Sequence, residues 1–187
     1  MKKTIQYLIL RHLVENNHSI LSIREISKLI KKDYKNTSEA IKTLPSISIK
    51  KAAGANQVSF NFQFSEILFQ IEFSRRQEIL SDKNLRIIMN DISKINSLFI
   101  MLLFGSRAKK TQHKKSDYDL LLITDTPTKI EETLSLYPVE LHVHTISLQE
   151  FKRMALSKEL TVVSEAIKNN IILWGIEEYY RILNNAK

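Results

Sequence analysis

The sequence predicts an α+β protein in two parts: a helical N-terminal third closing on a β-hairpin, then a small mixed sheet flanked by helices. Three observations predict it. Residues 1–64 hold three helix-period segments followed by two period-two runs around Gly54. Residues 65–97 are rich in charge and contain no Gly or Pro, which reads as helix. Beyond them, buried-strand runs at 98–104 and 120–123 alternate with helix signals. The expected boundaries are 1–64, a helical connector over 65–97, and 98–187.

Composition narrows the class. Of 187 residues, 43% are hydrophobic and 26% charged, ordinary for a globular chain. There is no cysteine, which excludes disulfides, thiolate zinc sites and cysteine nucleophiles. The longest apolar run, 98–104, is far too short to span a membrane. Gln6, Arg11, His12 and Glu15 interrupt the start, against a secretory signal, so a cytoplasmic protein without membrane partners is expected. The net charge of +8 is uneven. Residues 1–64 carry +7, residues 65–98 are neutral and the remainder carries +1. That asymmetry points to a polyanion partner for the first third, or to a basic surface that aids solubility.

The elements follow in order. Ile5, Leu8, Ile9 and Leu13 share one helical face, predicting a helix over 4–16. Ser22 and Glu25 form a capping box, with Leu21 placed to pack on Ile26, and Ile26, Leu29 and Ile30 give that second helix its buried face. After a break at 32–35, Asn36-Thr37-Ser38-Glu39 reads as a second capping box opening a helix to Leu44, which Pro45 stops. Its inner face is Ala40, Ile41 and Leu44. Its outer face is Lys35, Asn36, Ser38, Glu39, Lys42 and Thr43, the small, polar and basic set that a helix in a major groove needs. Residues 47–51 and 58–64 alternate around a turn containing Gly54, a hairpin with Lys50 and Lys51 near its tip, in reach of phosphates. In element order and length, residues 1–64 resemble a winged helix-turn-helix domain. The resemblance implies duplex DNA as partner, with Lys35, Asn36, Ser38, Lys42, Lys50 and Lys51 as contacts; a protein-contact module is the alternative.

The connector reads as helices over 66–80 and 83–97, interrupted at Ser81-Asp82. Leu85, Ile88, Met89, Ile92 and Ile95 line the buried side of the second.

The chemistry sits after the strand at 98–104. A Gly105-Ser106 turn at a strand end lets backbone N–H groups approach a phosphate, and the Ser hydroxyl adds a donor. Asp117 and Asp119, two apart at the start of the strand through Ile123, point the same way. Two such carboxylates repel unless a cation lies between them, and hard oxygen donors suit Mg²⁺. A helix follows, with Thr128 and Glu131 as its expected capping box. Residues 137–145 then alternate, placing Val139, Leu141 and Val143 on one face and Glu140, His142 and His144 on the other. Glu140 is the acid of this run and would lie beside the aspartates if the two strands are neighbours; otherwise it is an ordinary exposed residue. His142 and His144 read as half-exposed strand residues or as site residues. Arg107, Lys109, Lys110, Lys114 and Lys115 read as a solvated basic face, or Arg107 or Lys109 steadies a triphosphate. Trp174, Tyr179 and Tyr180 read as core.

Gly105-Ser106, ten intervening residues, Asp117-x-Asp119 and a later strand acid together resemble the signature of the DNA-polymerase-β-like nucleotidyltransferase superfamily, in its minimal, antitoxin-type branch. The likeness covers residues 83–183, including a C-terminal stretch, taken as helical, through 171–175 and Tyr179-Tyr180. It implies a polymerase-β-like nucleotidyltransferase domain behind the winged helix, an α+β architecture overall. It implies that Gly105, Ser106 and Arg107 bind the triphosphate of ATP or another nucleoside triphosphate. It implies that Asp117, Asp119 and Glu140 bind Mg²⁺ or Mn²⁺, with Glu140 as general base where the family more often has Asp. The implied reaction moves a nucleoside monophosphate, AMP by preference, to an acceptor hydroxyl, with a protein toxin as the favoured partner. A small-molecule acceptor is a further option. The alternative is a DNA-binding regulator whose transferase domain is inactive or senses nucleotide.

Overall fold

A computed structural model describes residues 4–52, 54–111, 113, 116–157 and 159–185. The chain divides into two compact units, Met1–Ile71 and Glu72–Lys187.

In the first unit, α1 (Ile5–Glu15) is capped by Thr4, whose hydroxyl accepts from the Tyr7 N–H at 3.2 Å. Ile9, Leu10, Leu13 and Val14 form its buried face. A two-residue strand, β1 (Leu21–Ser22), leads into α2 (Ile23–Leu29). The expected capping box is present: Ser22 Oγ accepts from the Glu25 N–H, and the Glu25 carboxylate accepts from the Ser22 N–H at 2.7 Å. Leu29, expected to be buried, is 52% exposed, because α2 ends there and its core contact is made by Ile23 and Ile26. The next helix, α3 (Tyr34–Lys42), starts earlier than expected. Its cap is Asp33 rather than Asn36. Asp33 accepts from both the backbone N–H and the side-chain amide of Asn36, at 2.8 and 2.6 Å. A carboxylate is the stronger acceptor and its charge suits the helix N-terminus; the Asn36 N–H holds its carboxyl below the usual range. Ala40, Ile41 and Leu44 are buried.

The hairpin is β2 (Ile47–Ala52) and β3 (Ala55–Phe60), with Lys50 opposite Gln57 and Lys51 opposite Asn56. It becomes a three-stranded antiparallel sheet because β1 pairs with β3, Leu21 opposite Val58, giving the order β1-β3-β2. β3 stops at Phe60, short of the expected Phe64; Phe62 has φ +65°, which breaks the extended run. Ile26, Ile41, Val58 and Phe60 join the α1 residues in one core.

The unit boundary falls within α4 (Glu66–Ile79). In the second unit, α5 (Lys83–Ile92) ends five residues before the expected position, capped at its start by Asp82. Leu85, Ile88, Met89 and Ile92 enter the core of this unit. β4 (Ile100–Phe104), the short α6 (Gly105–Ala108) and β5 (Tyr118–Ile123) follow. Leu98, expected in the strand, is outside it and 94% exposed. Then come α7 (Thr128–Ser135), β6 (Leu141–Ile146), α8 (Leu148–Leu156), α9 (Val162–Lys168), β7 (Ile171–Trp174) and α10 (Ile176–Asn185). The α7 start has no side-chain cap: the Glu131 carboxylate instead accepts from the Thr145 hydroxyl at 2.6 Å, and Pro127, at helical φ, opens the helix.

The four-stranded sheet has the order β6-β5-β4-β7 and is mixed. β5 and β6 run parallel, joined through α7, while β4 is antiparallel to both β5 and β7. β4 is buried along its whole length, as are residues 120–123 of β5, which is why these runs are continuously apolar. β6 is an edge strand, and its alternation of half-buried and exposed residues reflects that position. Residues 171–174, read from the sequence as helical, form a strand. Ile, Ile, Leu and Trp suit a pleated buried surface, and Trp174 pairs with Met101 on β4. Tyr179 and Tyr180 are buried, and Trp174 stacks on Phe99 at 5.4 Å. Among the described residues no helix is long and apolar enough to cross a membrane.

This unit also buries a charge pair. Glu72, fully buried, accepts from Arg75 at 2.7 Å and from the Tyr180 hydroxyl. Arg75 also donates to the Asn170 carbonyl at 2.5 Å, and the Asn170 amide donates to the Tyr179 hydroxyl at 2.9 Å. Burial pushes both tyrosine hydroxyls up, so they keep their protons across the ordinary pH range. The network ties α4 to α10 and to the start of β7. Glu72→Ala leaves a buried guanidinium without its counter-charge and is expected to cost about 3–5 kcal/mol. Tyr180→Phe removes one bond to a charged acceptor and is expected to cost about 1.5–3 kcal/mol. Urea unfolding midpoints at constant m-value measure both.

Candidate active site

The site forms where β4, β5 and β6 line up. Phe104, the last residue of β4, stands opposite Asp119 on β5. The chain then turns through Gly105, whose φ of +66° is in the left-handed region that favours glycine. A second reason for glycine is spatial. A Cβ at residue 105 would lie 2.0 Å from Oδ2 of Asp119, inside the carboxylate. Gly105 and Asp119, on segments separated in sequence, are thus in direct contact, and the bare glycine makes the room. Ser106, half-buried, lies in the first turn of α6.

Asp117 immediately precedes β5 and Asp119 lies within it, so both reach the same face. β6 runs parallel beside β5 with Leu141 opposite Tyr118 and His142 opposite Asp119; the Tyr118 N–H donates to the Glu140 carbonyl at 3.0 Å. This register carries Glu140, just before the strand, next to Asp117. Asp117 and Asp119 are about one-third exposed, whereas Glu140 is 72% exposed at its side chain. One oxygen each from Asp117 and Glu140 and one ring nitrogen of His142 lie within 4.8 Å of one another. Ligands of one octahedral ion at about 2.1 Å are separated by about 3.0 Å when adjacent and about 4.2 Å when opposite, so the spacing fits a shared divalent cation. The Asp117 and Glu140 carboxylates share this spot, and a cation relieves their repulsion.

Arg107 takes a different place from the one expected of a triphosphate ligand. Its Nε donates to the carbonyls of Ser116 and Asp117 at 3.1 and 3.0 Å, Nη2 donates to Ser116 at 2.5 Å and Nη1 donates to Asp82 at 3.2 Å. Its plane lies 3.6 Å over the Tyr118 ring. The Tyr118 hydroxyl donates to the same Asp82, which also caps α5 by accepting from the Asn84 and Leu85 N–H groups. Burial, and then the Asp82 bond, push the Tyr118 hydroxyl up. Arg107 therefore clamps the backbone that delivers Asp117. Asp82 was read from the sequence only as a helix interruption. Its cap position was a legible signal, but its second role depends on Arg107 arriving from 25 residues later.

The other basic residues disperse. Lys109 pairs with Glu165 on α9, which holds that carboxyl below the usual range. Lys110 stands 3.9 Å from Glu78, and Lys114 and Lys115 lie outside the described residues. His144, exposed, faces the Phe104 ring at 6.0 Å.

In the first unit, Lys35, Asn36, Lys42, Lys50 and Lys51 are exposed and Ser38 half-buried. Asn36 is engaged by the Asp33 cap. An open groove of about 480 Å³ is lined by Ser22, Ile23, Arg24 and Tyr34 from the helical side and by Lys51, Gly54, Ala55 and Asn56 from the hairpin. Arg24 and Tyr34 were not singled out from the sequence, because the groove depends on how the hairpin folds beside α2 and α3.

No curated protein matches the chain. Among solved structures, one described as a crystal structure of a toxin-antitoxin with AMP-PNP is similar to it. The likeness has 20% identity and a TM-score of 0.34, and covers 55% of this chain and 80% of that one. Residues 83–179, more than half of the chain, match the family described as polymerase beta, nucleotidyltransferase, and the chain belongs to that family.

Proposed function

We propose that the second unit transfers a nucleoside monophosphate, AMP from ATP by preference, to an acceptor hydroxyl. The observations that carry this reading are Asp117 and Glu140 within reach of one ion and Asp119, on the same strand face as Asp117, against the bare Gly105. Gly105 and Ser106 hold the triphosphate, the glycine by its open backbone and the serine by its hydroxyl. Asp117 and Asp119 hold Mg²⁺ or Mn²⁺, with Glu140 as the third carboxylate. When bound, such ions offset the charge developing on the phosphate oxygens. The acceptor oxygen attacks the α-phosphorus as pyrophosphate leaves, and Glu140, the most exposed of the three acids, takes the acceptor's proton. Arg107 supports the reaction by fixing the Asp117 backbone. A site open along the edge strand admits a large acceptor, and a protein hydroxyl, such as that of a toxin partner in the cytoplasm, is the proposed one. Label transfer from ATP to candidate proteins and to small-molecule hydroxyls identifies the class.

A second reading concerns the first unit. Three helices, with a short strand between the first and second, and then a hairpin, with exposed lysines and the groove between hairpin and helices, support a winged helix-turn-helix that binds duplex DNA. In it, α3 offers Lys35, Asn36, Ser38 and Lys42 to the major groove, and Lys50 and Lys51 of the hairpin meet phosphates. This reading is compatible with the first. If transfer is absent while DNA binding persists, the protein is a regulator with a nucleotide-sensing or inactive second unit.

Three outcomes are expected. Asp117→Asn combined with Asp119→Asn abolishes label transfer with an unchanged circular dichroism spectrum, and excess EDTA abolishes it in the wild type; activity that persists in EDTA overturns the metal reading. Glu140→Gln leaves ATP affinity within about three-fold while turnover falls by roughly 10²–10⁴. Glu140→Asp also loses turnover, since reacting groups tolerate only about an ångström of misplacement. For DNA, replacing Lys50 and Lys51 by Ala weakens binding equally for all sequences and flattens the salt slope by about 0.9 per lost phosphate contact. Changing Lys42 or Ser38 shifts sequence preference instead. No DNA affinity at low salt would make the unit a protein-contact module.

A further inference from the structure

The alternation along β6 puts a histidine where the site's carboxylates meet. His142 is two residues beyond Glu140 and stands opposite Asp119 in the parallel β5–β6 ladder, so all three point to one face. Its Nδ1 lies 3.6 Å from Oδ1 of Asp119 and 3.8 Å from Oδ2 of Asp117, and its Nε2 lies 3.9 Å from Oε1 of Glu140. These separations are too long for hydrogen bonds. Among the described residues, none of the four side chains makes a hydrogen bond to another protein group. One ring nitrogen of His142 and one oxygen each of Asp117 and Glu140 lie within 4.8 Å of one another, and Asp119 faces the imidazole Nδ1 at 3.6 Å, so donors from two neighbouring strands gather at one place.

We propose that His142 is a nitrogen ligand of the metal site, giving a mixed nitrogen–oxygen donor set that favours Mn²⁺ over Mg²⁺. The proposal rests on the metal reading of Asp117, Asp119 and Glu140. The chemistry follows from donor type. Oxygen donors alone suit Mg²⁺, a hard ion that keeps its waters, whereas imidazole binds first-row transition ions more strongly. His142 is itself half exposed and lies 3.9 Å from the exposed Glu140, so it adds a donor on the side of the carboxylate set that is open to water.

The test uses the full chain with Mn²⁺ or Mg²⁺ alone as probe. Pulsed EPR of the Mn²⁺-loaded protein is expected to show a nitrogen hyperfine coupling that His142→Ala removes. By calorimetry, His142→Ala should lower Mn²⁺ affinity about ten-fold or more and Mg²⁺ affinity less than about three-fold. His142→Asp, which replaces nitrogen by oxygen, should lose the coupling, retain Mg²⁺ binding and lower the Mn²⁺-to-Mg²⁺ preference. A thermal melt confirms that each variant is folded. If the wild type binds Mn²⁺ in an Asp117-dependent way without a nitrogen coupling, the proposal is overturned and the carboxylate reading stands. A coupling that survives His142→Ala assigns the nitrogen elsewhere and also overturns it. If the wild type binds neither ion, both readings fall together.

Discussion

Phe104 and Asp119 close the β4–β5 ladder opposite each other, and the residue that leaves β4 has no Cβ to fill the space beside the Asp119 carboxylate. Everything in the candidate site is arranged around that contact. A side chain at residue 105 would collide with Oδ2, and moving Asp119 aside would disturb the strand that carries it. The positive φ of Gly105 redirects the chain at once into α6, so Ser106 falls in its first turn. One missing methyl group thus sets both where the chain turns and how closely that turn can approach Asp119.

The remaining positions are held from behind. Asp82 caps α5, whose apolar face is part of the core under the sheet, and receives the Tyr118 hydroxyl and the Arg107 guanidinium. Arg107 in turn grips the carbonyls of Ser116 and Asp117 and lies flat on the Tyr118 ring. A guanidinium suits this place because its planar fork serves two carbonyls and a carboxylate while stacking on an aromatic face; a lysine could do neither at once. The segment that delivers Asp117 to β5 is therefore braced by a charged group bound to its backbone.

The third wall is soft by comparison. β6 is an edge strand, with Glu140 and His142 both more than half exposed at their side chains. An edge is where a sheet can add polar residues without burying them, and it leaves this side of the candidate site open. The first unit shows a related economy of means. A two-residue strand, Leu21–Ser22, both widens the hairpin into a sheet and supplies the cap of α2, so the groove between helices and hairpin has one wall fixed by Ser22.

The local devices were legible in the sequence. Ser22 and Glu25 announce their capping box, the apolar runs at 100–104 and 120–123 announce buried strands, and the glycine-serine turn with its spaced aspartates announces a place where charge is handled. These signals are short-range: they depend on residues within about one turn or one strand, where spacing alone decides direction. What depended on distant pairing was not legible. Residues 171–174 became a strand because β4 offered an open side, and the α7 start lost its expected cap because Glu131 was drawn to Thr145. Likewise Asp82 became a brace, and His142 joined the acids, through contacts with segments tens of residues away. The sequence by itself determined which residue types are available to the site and the two strands that deliver most of them. Only the tertiary structure decided the parallel register of β6 on β5, because ladder pairing is set by burial and closure across the whole sheet. A shift of one residue would have turned Glu140 and His142 to the opposite face.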